Sequence, residues 1–445
     1  MKDFAASDDP AVQAQLDRLA ALSLPQGRLG LDIIEALLAR LGDPQARLPP
    51  VFHVAGTNGK GSTCAFLRAM LEEQGYCIHV ATKPHLVRYN ERIRIAGTLI
   101  SDEALASVLG EVLDAAAGLT PSFFEVTTAA MLLAFSRTPA DAAIIEVGLG
   151  GRLDATNVIP RPAVCGITAL GIDHEAFLLR PEPGVPAEPL ARIAFEKASI
   201  AKPGVPLVTQ AYPAAAEAAV IQTAAARGAP LLLRGREWSA GITGNAIEYR
   251  DAHGQLSLPL PALPGIHQAD NAALAVAMLR HQRVLPVSPG AMTEGIRKAR
   301  WPARLQRLGD GPLTALVPDR PVWLDGGHNP DAARAIARAL ADRAPFDLVF
   351  GLTANRSIPD VLGPLAPLVR TAVMVPLGGH AHHDPLTLAE AARNLLGLRD
   401  CHSAGSAEEA LRALGTNGQI TRPILIAGSL YLAGDVLRLN REWPD

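Results

Sequence analysis

A glycine-rich segment beginning at residue 56 carries the clearest chemistry in the sequence. Residues 56–63 read Gly-Thr-Asn-Gly-Lys-Gly-Ser-Thr and follow the apolar stretch 51–55. Glycines let backbone N–H groups turn toward one point, a following helix adds positive potential, and Lys60 supplies a cation. A turn without function is the alternative, but this context favours a phosphate-binding loop. Its candidate residues are Gly56, Thr57, Asn58, Gly59, Lys60, Gly61 and Ser62.

Two further residues follow apolar runs and could bind a cation. Glu146 comes directly after the apolar run 142–145. Ligands collect at the carboxyl ends of parallel strands, and carboxylate oxygen suits Mg²⁺, so Glu146 is a candidate metal ligand; a solvated glutamate is the alternative. His174 stands at a similar junction, where a structural histidine and a cation ligand are equally compatible with the sequence.

These residues need a sheet to position them. Short apolar runs alternate with longer Ala/Leu-rich stretches, which predicts parallel α/β sheets. The predicted strands are 51–55, 78–82, 143–147, 164–168 and 207–209, then 321–324, 347–350, 372–375 and 423–427. Helices are expected at 62–74 and 102–117. We expect two domains, 1–297 and 298–445.

Composition excludes several classes of partner. The chain has 445 residues, with 41 Lys and Arg against 44 Asp and Glu, a net charge of −3 without a basic cluster, so we expect no nucleic-acid partner. The cysteines are widely spaced, which argues against a disulfide framework or a zinc site. The N-terminus is polar and no apolar run approaches the roughly 20 residues of a membrane span. We expect a cytoplasmic monomer without a membrane partner.

Several motifs occur in an order that matches a known family. They lie at 24–32, 84–92, 123–128 and 146–157 in the first half, then at 267–271, 301–304, 324–330 and 428–431. The segment 146–157, Glu-Val-Gly-Leu-Gly-Gly-Arg-Leu-Asp-Ala-Thr-Asn, is the most specific. The sequence resembles the bacterial dihydrofolate synthase/folylpolyglutamate synthase family of the Mur ligase superfamily over nearly its whole length. This implies an α/β fold, with a P-loop-containing Mur-ligase-like central domain with a parallel sheet and a smaller Rossmann-like C-terminal domain.

The resemblance implies an ATP-dependent ligase of folate biosynthesis. Such an enzyme joins L-glutamate to dihydropteroate, forming dihydrofolate, and adds glutamates to reduced folates. The carboxylate must first take the γ-phosphoryl group of ATP, giving an acyl phosphate, and Lys60, backbone amides and Mg²⁺ would neutralise the charge that gathers. Two alternatives are a Mur-type ligase for another carboxylate substrate and a degenerate nucleotide-binding paralogue.

The resemblance also assigns a metal centre. Glu146, His174 and Lys197 would hold two Mg²⁺ ions, with Lys197 carbamylated by carbon dioxide, and together with Lys60 they form the expected catalytic set. An ammonium would repel Mg²⁺, whereas a carbamate makes the same side chain a carboxylate-like ligand. A plain salt bridge from Lys197 is the alternative.

Two further groups of residues carry implied binding roles. Asn271, Arg304 and Asp325 would hold ATP from the far half of the chain, which places the expected nucleotide between the domains. The expected pterin-binding residues are Arg28, Leu29, Ser122, Phe123, Phe124, Glu125, Leu153, Asp154 and Ala155. Phe124 could stack on the pterin and Asp154 could accept its N–H donors. Core packing is the alternative for Phe123 and Phe124, and we expect at least one of them in the core.

The sequence departs from the family at two places near the site. Lys83 stands where the family usually has a serine that ligates the first magnesium. An ammonium about 4 Å from a divalent ion would meet a repulsion of roughly 8 kcal/mol at an effective dielectric of about 20. We therefore expect Lys83 to turn toward the triphosphate, beside Lys60. The proline-rich stretch 180–189 is an apparent insertion, expected to be a surface loop.

Overall fold

The alternation of apolar runs and Ala/Leu-rich stretches produces two α/β units. The computed structural model describes residues 6–22, 30–415 and 421–444. Unit 1 comprises Met1–Ala262 and Gln268–Ala299, and unit 2 comprises Leu263–His267 and Arg300–Asp445. The expected division into domains 1–297 and 298–445 stays a prediction. No helix in the described ranges is long and apolar enough to cross a membrane.

Unit 1 is built on an eight-stranded sheet. Its strands are β1 (Val51–Ala55), β2 (Ile78–Ala81), β3 (Ile93–Ile95), β4 (Thr98–Leu99), β5 (Ala142–Glu146), β6 (Val164–Ile167), β7 (Leu207–Thr209) and β8 (Leu231–Leu233). Their order is β4-β3-β2-β5-β1-β6-β7-β8. The six strands from β2 to β8 in this order are parallel, whereas β3 and β4 pair antiparallel at one edge. All five strands predicted here are present within one residue at each end.

Helices cover this sheet and bury its strands. They are α1 (Pro10–Ala20), α2 (Asp32–Arg40), α3 (Lys60–Glu73), α4 (Asp102–Ala115), α5 (Phe123–Arg137), α6 (Glu175–Leu178), α7 (Pro189–Ala198), α8 (Ala214–Arg227), α9 (Ile266–His281) and α10 (Pro289–Lys298). Every residue of β1 and β5 is buried, as expected for parallel strands covered on both faces. A second, antiparallel sheet contains β9 (Trp238–Thr243), β10 (Ala246–Asp251) and β11 (Gly254–Pro259).

Unit 2 repeats the parallel α/β pattern on a smaller scale, in agreement with the expected Rossmann-like domain. Its strands are β12 (Gln306–Arg307), β13 (Val322–Leu324), β14 (Phe346–Phe350), β15 (Val369–Met374), β16 (Cys401–Ser403) and β17 (Ile424–Ala427), in the order β12-β13-β17-β14-β15-β16. Only β12 pairs antiparallel among these described strands. The helices are α11 (Pro330–Leu340), α12 (Ile358–Leu362), α13 (Pro385–Leu396), α14 (Ala407–Gly415) and α15 (Leu430–Asn440).

A polar relay runs through the core of unit 1. His53, in the middle of β1, is completely buried, and its Nε2 lies 2.8 Å from Thr156 Oγ1. The Thr156 hydroxyl donates to Asp154 Oδ1 at 2.5 Å, so the hydroxyl oxygen accepts from His53 Nε2–H. Among the described residues, Nδ1 has no hydrogen-bond partner. The imidazole is therefore held neutral, and burial lowers the pKa of His53 to about 3.

This relay predicts a pH dependence of stability. The unfolded histidine binds a proton below about pH 6.5, whereas the folded one does so only near pH 3, so stability is lost as the pH falls through this window. Between pH 7 and pH 5 the loss from His53 should be about 2 kcal/mol. We expect His53→Gln, whose amide can still donate to Thr156, to lose less stability over this range in urea unfolding measurements. Equal losses in parent and variant would contradict the assignment.

Candidate active site

The phosphate loop joins the central strand β1 to α3. Gly59 takes a left-handed conformation, with φ of 91°, and α3 begins directly after it at Lys60. A Cβ on Gly59 would lie 2.3 Å from Asn271 Oδ1, so α9 places Asn271 directly against the loop. The close approach requires glycine here for both space and backbone conformation. One of the three predicted distal ATP-binding residues thus lies beside the loop within unit 1.

The segment that follows β6 anchors this loop. The N–H groups of Thr57 and Asn58 donate to the carbonyl of Ala169 at 2.9 and 3.3 Å. The Thr168 hydroxyl donates to the Asn58 carbonyl at 2.7 Å, and Thr57 Oγ1 donates to the Gly171 carbonyl at 2.9 Å. These bonds fix the loop at the carboxyl edge of the sheet, between the ends of two neighbouring parallel strands.

Lys60 folds back over the loop. Its ammonium donates to the carbonyls of Gly56 and Thr57 at 3.1 and 3.2 Å and lies 4.0 Å from Glu146 Oε1. Because these carbonyls hold the ammonium close to the first turn of α3, its charge adds to the positive potential of the helix N-terminus. The arrangement is suited to bind the phosphates of a nucleotide.

Glu146 is enclosed rather than solvated. It ends β5 opposite Val54 of β1 and is 3% exposed. Besides its approach to Lys60, its Oε2 accepts the backbone N–H of Lys83 at 3.1 Å. Within the described ranges, no three His, Cys, Asp or Glu side chains form a metal cluster. One buried carboxylate beside a phosphate loop nevertheless fits Mg²⁺, which keeps several waters and takes further ligands from phosphate oxygens.

The segment that carries His174 is tied to the phosphate loop. The Gly171 N–H donates to Thr57 Oγ1 at 3.1 Å. His174 adopts a left-handed conformation, with φ of 55°, and its N–H donates to the buried carboxylate of Asp173 at 2.7 Å. The predicted ligand therefore lies on a constrained turn next to the loop, with Asp173 as a second acidic group that sequence reasoning did not select.

Lys197 is buried on α7, with 5% of its surface exposed. A Cβ on Gly151 would lie 3.0 Å from its Cα, so the motif 146–157 packs directly on this helix. Burial, with a further contribution from the charge of Lys60, lowers the pKa of Lys197 to about 7, although Asp173 opposes the shift. No carboxylate in the described part of the chain lies within ion-pair distance of its amine, so the plain salt bridge is not observed.

The proline-rich insertion is held against α7 by buried charges. Glu182 accepts from Arg152 at 3.1 and 2.6 Å and from Arg192 at 3.0 Å. Both arginines also pair with Glu196, which precedes Lys197. The insertion and residues 149–153 line a cavity of about 310 Å³. The segment is mostly exposed, as expected for a surface loop, and Glu182 ties it to Arg152 and to α7.

Several residues expected to bind the pterin serve the fold locally. Ser122 caps α5, and Glu125 accepts from its N–H and its hydroxyl, both at 2.7 Å. Phe123 packs on the main core, as expected for at least one of the pair, while Phe124 is half-buried. Arg28 and Leu29 lie outside the described residues.

Asp154 is fully engaged by internal donors. Its Oδ2 accepts the N–H groups of Gly148 and Leu149 at 3.0 and 2.9 Å. Its Oδ1 accepts the N–H and hydroxyl of Thr156 at 3.0 and 2.5 Å. Burial raises the pKa of this carboxyl, but Lys83 and the donors outweigh it, so the net shift is downward. Asp154 shapes the loop between Leu153 and Ala155, and its predicted contact with a pterin stays a prediction.

Lys83 does not take the expected orientation. Its ammonium lies 3.5 Å from Thr128 Oγ1 and 6.0 Å from the ring centre of Phe124, on the side of Asp154. Its backbone N–H donates to Glu146, and the charge of Glu146 acts on the ammonium less strongly than that of Asp154. The buried negative charge of Asp154 attracts the ammonium. Sequence reasoning could not include this attraction, because the sequence does not show that the two segments meet.

In unit 2, Arg304 and Asp325 come together at the end of β13. A Cβ on Gly326 would lie 3.1 Å from the Arg304 guanidinium. Asp325 accepts the N–H groups of Leu305 and Gly327 at 2.8 and 2.7 Å. Burial raises the pKa of Asp325, and Arg304 opposes this shift. Their expected role in ATP binding stays a prediction.

Known proteins resemble this chain over almost its entire length. The family model described as "Dihydrofolate synthetase, C-terminal domain" matches residues 317–439. The dihydrofolate synthase/folylpolyglutamate synthase of Escherichia coli is 33% identical, covering 92% of this chain and 91% of the relative. The chain belongs to the dihydrofolate synthase/folylpolyglutamate synthase family. Its members are ATP-dependent ligases of folate metabolism, and the expected fold and enzyme class are confirmed.

Two solved structures of this family agree in fold. Escherichia coli FolC in complex with DHPP and ADP has a TM-score of 0.84 at 31% identity, with 97% of both chains covered. A bifunctional folylpolyglutamate synthase/dihydrofolate synthase with Mn, AMPPNP and L-glutamate bound has a TM-score of 0.81 at 30% identity, covering 98% of this chain and 99% of that one.

The sequence analysis did not select several charged residues that lie near the candidate site. Arg192 and Glu196 are four residues apart on one helix, a spacing that could have indicated an ion pair. Glu182 and Asp173 carried no such local signal, because their partners are distant in sequence or lie in the backbone.

The phosphate loop of this ligase should not tolerate a side chain at residue 59. We expect Gly59→Ala to weaken ATP binding at least about 100-fold, because the Cβ would meet Asn271 at 2.3 Å and the left-handed conformation disfavours alanine. Calorimetric titration with a non-hydrolysable ATP analogue measures the effect. Gly75→Ala, at a left-handed position with no neighbouring atom within 4 Å, is the matched control. Equal affinities in both variants would contradict this role.

The clamp on the insertion makes a separate prediction. Glu182→Ala leaves Arg152 and Arg192 with Glu196 as their one remaining ion-pair partner among the described residues, so we expect a loss of about 1–3 kcal/mol of stability. Because α7 carries Lys197, kcat should fall as well. Glu408→Ala, in an exposed pair on α14, is the control for removal of an ion pair. Thermal unfolding and steady-state rates test both effects, and wild-type values for Glu182→Ala would contradict the clamp.

Proposed function

We propose that this chain joins L-glutamate to dihydropteroate and also extends reduced folates, in both cases by way of an acyl phosphate. The observation that carries the proposal is the phosphate loop in which the Lys60 ammonium lies 4.0 Å from the buried carboxylate of Glu146. The relatives described above bind ADP or an ATP analogue, DHPP and L-glutamate. Both structures align with at least 97% of this chain, which supports the proposal.

The chain's own residues contribute to the first step mainly by charge. A carboxylate oxygen of the pteroate attacks the γ-phosphorus of ATP, and ADP leaves. Lys60 holds the β- and γ-phosphates, and the first-turn amides of α3 face the same anion. Mg²⁺, held by Glu146 and His174, would neutralise the charge on the transferring phosphoryl group. In the second step the glutamate amine attacks the acyl carbon, phosphate leaves, and the amine loses a proton.

Lys197 is proposed to act as a carbamate. The ammonium would first lose a proton, and the neutral amine would then bond to the carbon of CO₂ and release a second proton. The loss of two protons converts the cation into an anion of carboxylate type. Burial without an ion-pair partner supports this, because an uncompensated ammonium in such a place is costly. Its new charge would lie near Lys60 and the metal, and would complete the ligand set with Glu146 and His174 for two ions.

The reaction is assigned to the cytoplasm. It consumes ATP, and the cysteines Cys64, Cys77, Cys165 and Cys401 are all free thiols in the structure. A degenerate paralogue without ligase activity is disfavoured, because the chain retains Lys60, Glu146, His174 and Lys197 together, and Lys60 lies 4.0 Å from Glu146.

Phosphate release from ATP tests the proposal. The purified protein should release phosphate when Mg²⁺, L-glutamate and dihydropteroate are all present, and omission of any one should reduce the rate to background. Tetrahydrofolate should replace dihydropteroate if the enzyme also extends reduced folates. Rapid hydrolysis without an acceptor would contradict the ligase, and activity with tetrahydrofolate alone would contradict the synthesis of dihydrofolate.

The carbamate makes its own prediction. We expect Lys197→Ala to lower kcat by about 100-fold, since loss of a metal-ordering ligand has effects of this size. Acetate should partly restore the rate by occupying the vacated position. Lys197→Arg should stay inactive even with acetate, because a guanidinium keeps its charge and fills the space. A wild-type rate for Lys197→Ala, or no effect of acetate, would count against a carbamate.

A further inference from the structure

The Lys83 ammonium has more N–H donors than there are hydrogen-bond acceptors around it in the described part of the chain. An ammonium carries three N–H donors, and among the described residues its one hydrogen-bond acceptor is Thr128 Oγ1, at 3.5 Å. Asp154 attracts the charge, but its two oxygens already accept four hydrogen bonds from Gly148, Leu149 and Thr156. Lys83 is therefore held by attraction and not by a full set of hydrogen bonds.

The ammonium also has access to a ligand. Lys83 and Phe124 are both half-buried, and the ammonium lies 6.0 Å from the centre of the Phe124 ring. Gly148 leaves room at the same place, since a Cβ there would come within 3.4 Å of the ammonium and 3.2 Å of Asp154 Oδ2. A cation, an aromatic face and a glycine thus border one position.

We propose that Lys83 donates a hydrogen bond to the edge of the folate ring system and selects for an acceptor at that edge. The inference rests on the proposed function. A flat heteroaromatic ring can lie against Phe124 while a ring carbonyl oxygen or ring nitrogen takes a free N–H of Lys83. The sequence analysis expected Asp154 to be the polar residue that contacts the pterin. In this proposal Lys83 makes the polar contact, and the charge of Asp154 keeps the ammonium in place.

The competing role is that of a second phosphate cation. That role requires the ammonium on the side of Lys60 and Glu146. Instead, the group of Lys83 that contacts Glu146 is its backbone N–H, at 3.1 Å, while the side chain is directed to Thr128 and Phe124. The two roles predict effects on different substrates, so kinetics can separate them.

Lys83→Met is the main test, because methionine has similar length but no donor or charge. We expect kcat/KM for dihydropteroate to fall about 10-fold or more, mainly through KM, as for a lost hydrogen bond to a charged group. The KM for ATP and the half-saturating Mg²⁺ concentration should stay within about two-fold of the parent values. Lys298→Met, at an exposed lysine on α10, is the matched control and should change none of these values.

Substrate preference gives a second readout. The 4-amino-4-deoxy analogue of dihydropteroate places a donor where the natural ring has a carbonyl acceptor. The parent should prefer dihydropteroate, and Lys83→Met should reduce that preference by about 10-fold. Lys83→Gln, which keeps an N–H donor without the charge, should retain more of the preference. Thermal unfolding of each variant separates a loss of recognition from a loss of folding.

The outcomes distinguish this inference from the function on which it rests. A parent enzyme that releases no phosphate with dihydropteroate would overturn both. An active parent whose Lys83→Met variant instead requires more ATP or Mg²⁺ would overturn only the role of Lys83 in ring recognition. Unchanged KM and unchanged preference in Lys83→Met would overturn it as well.

Discussion

The close approach of Lys60 and Glu146 is the interaction on which the rest of the site depends. It requires β1 and β5 to be parallel neighbours in a register that sets Val54 beside Glu146. The phosphate loop leaves β1 at the same edge, and its left-handed Gly59 turns the chain directly into α3. A cation and a buried anion held in this way suit the metal-bound phosphate that we propose here, because each charge is stabilised before the ligand arrives.

Buried charge in unit 1 is arranged around two carboxylates that serve different purposes. Glu146 keeps oxygen lone pairs directed toward the loop, whereas Asp154 uses its acceptors to hold residues 148–156 and the Thr156 hydroxyl. The oxygen of that hydroxyl in turn accepts a hydrogen bond from the Nε2–H of His53 in the central strand. The loop that follows β5 is therefore connected to β1 by hydrogen bonds as well as by the sheet.

The proline-rich segment 180–189, expected to be an insertion in the family fold, is held in place by charged contacts. Its prolines exclude regular structure, so the segment needs other contacts to stay ordered. Glu182 supplies them by binding Arg152 from the segment 146–157 and Arg192 from α7. The same charges border the cavity, so a change at Glu182 would alter the cavity wall.

The sequence by itself determined the strands, the phosphate loop, Glu146 as its acidic neighbour and the family to which the chain belongs, because these depend on local patterns and contiguous motifs. The tertiary structure alone decided which polar groups remain available to a ligand. Ser122 and Glu125 hydrogen-bond to each other in a helix cap, and the two oxygens of Asp154 accept four hydrogen bonds. The Lys83 ammonium lies beside Thr128. Each of these outcomes depends on which hydrogen-bond or charged partners a group meets after folding. Residue type alone does not reveal which partner a side chain will bind.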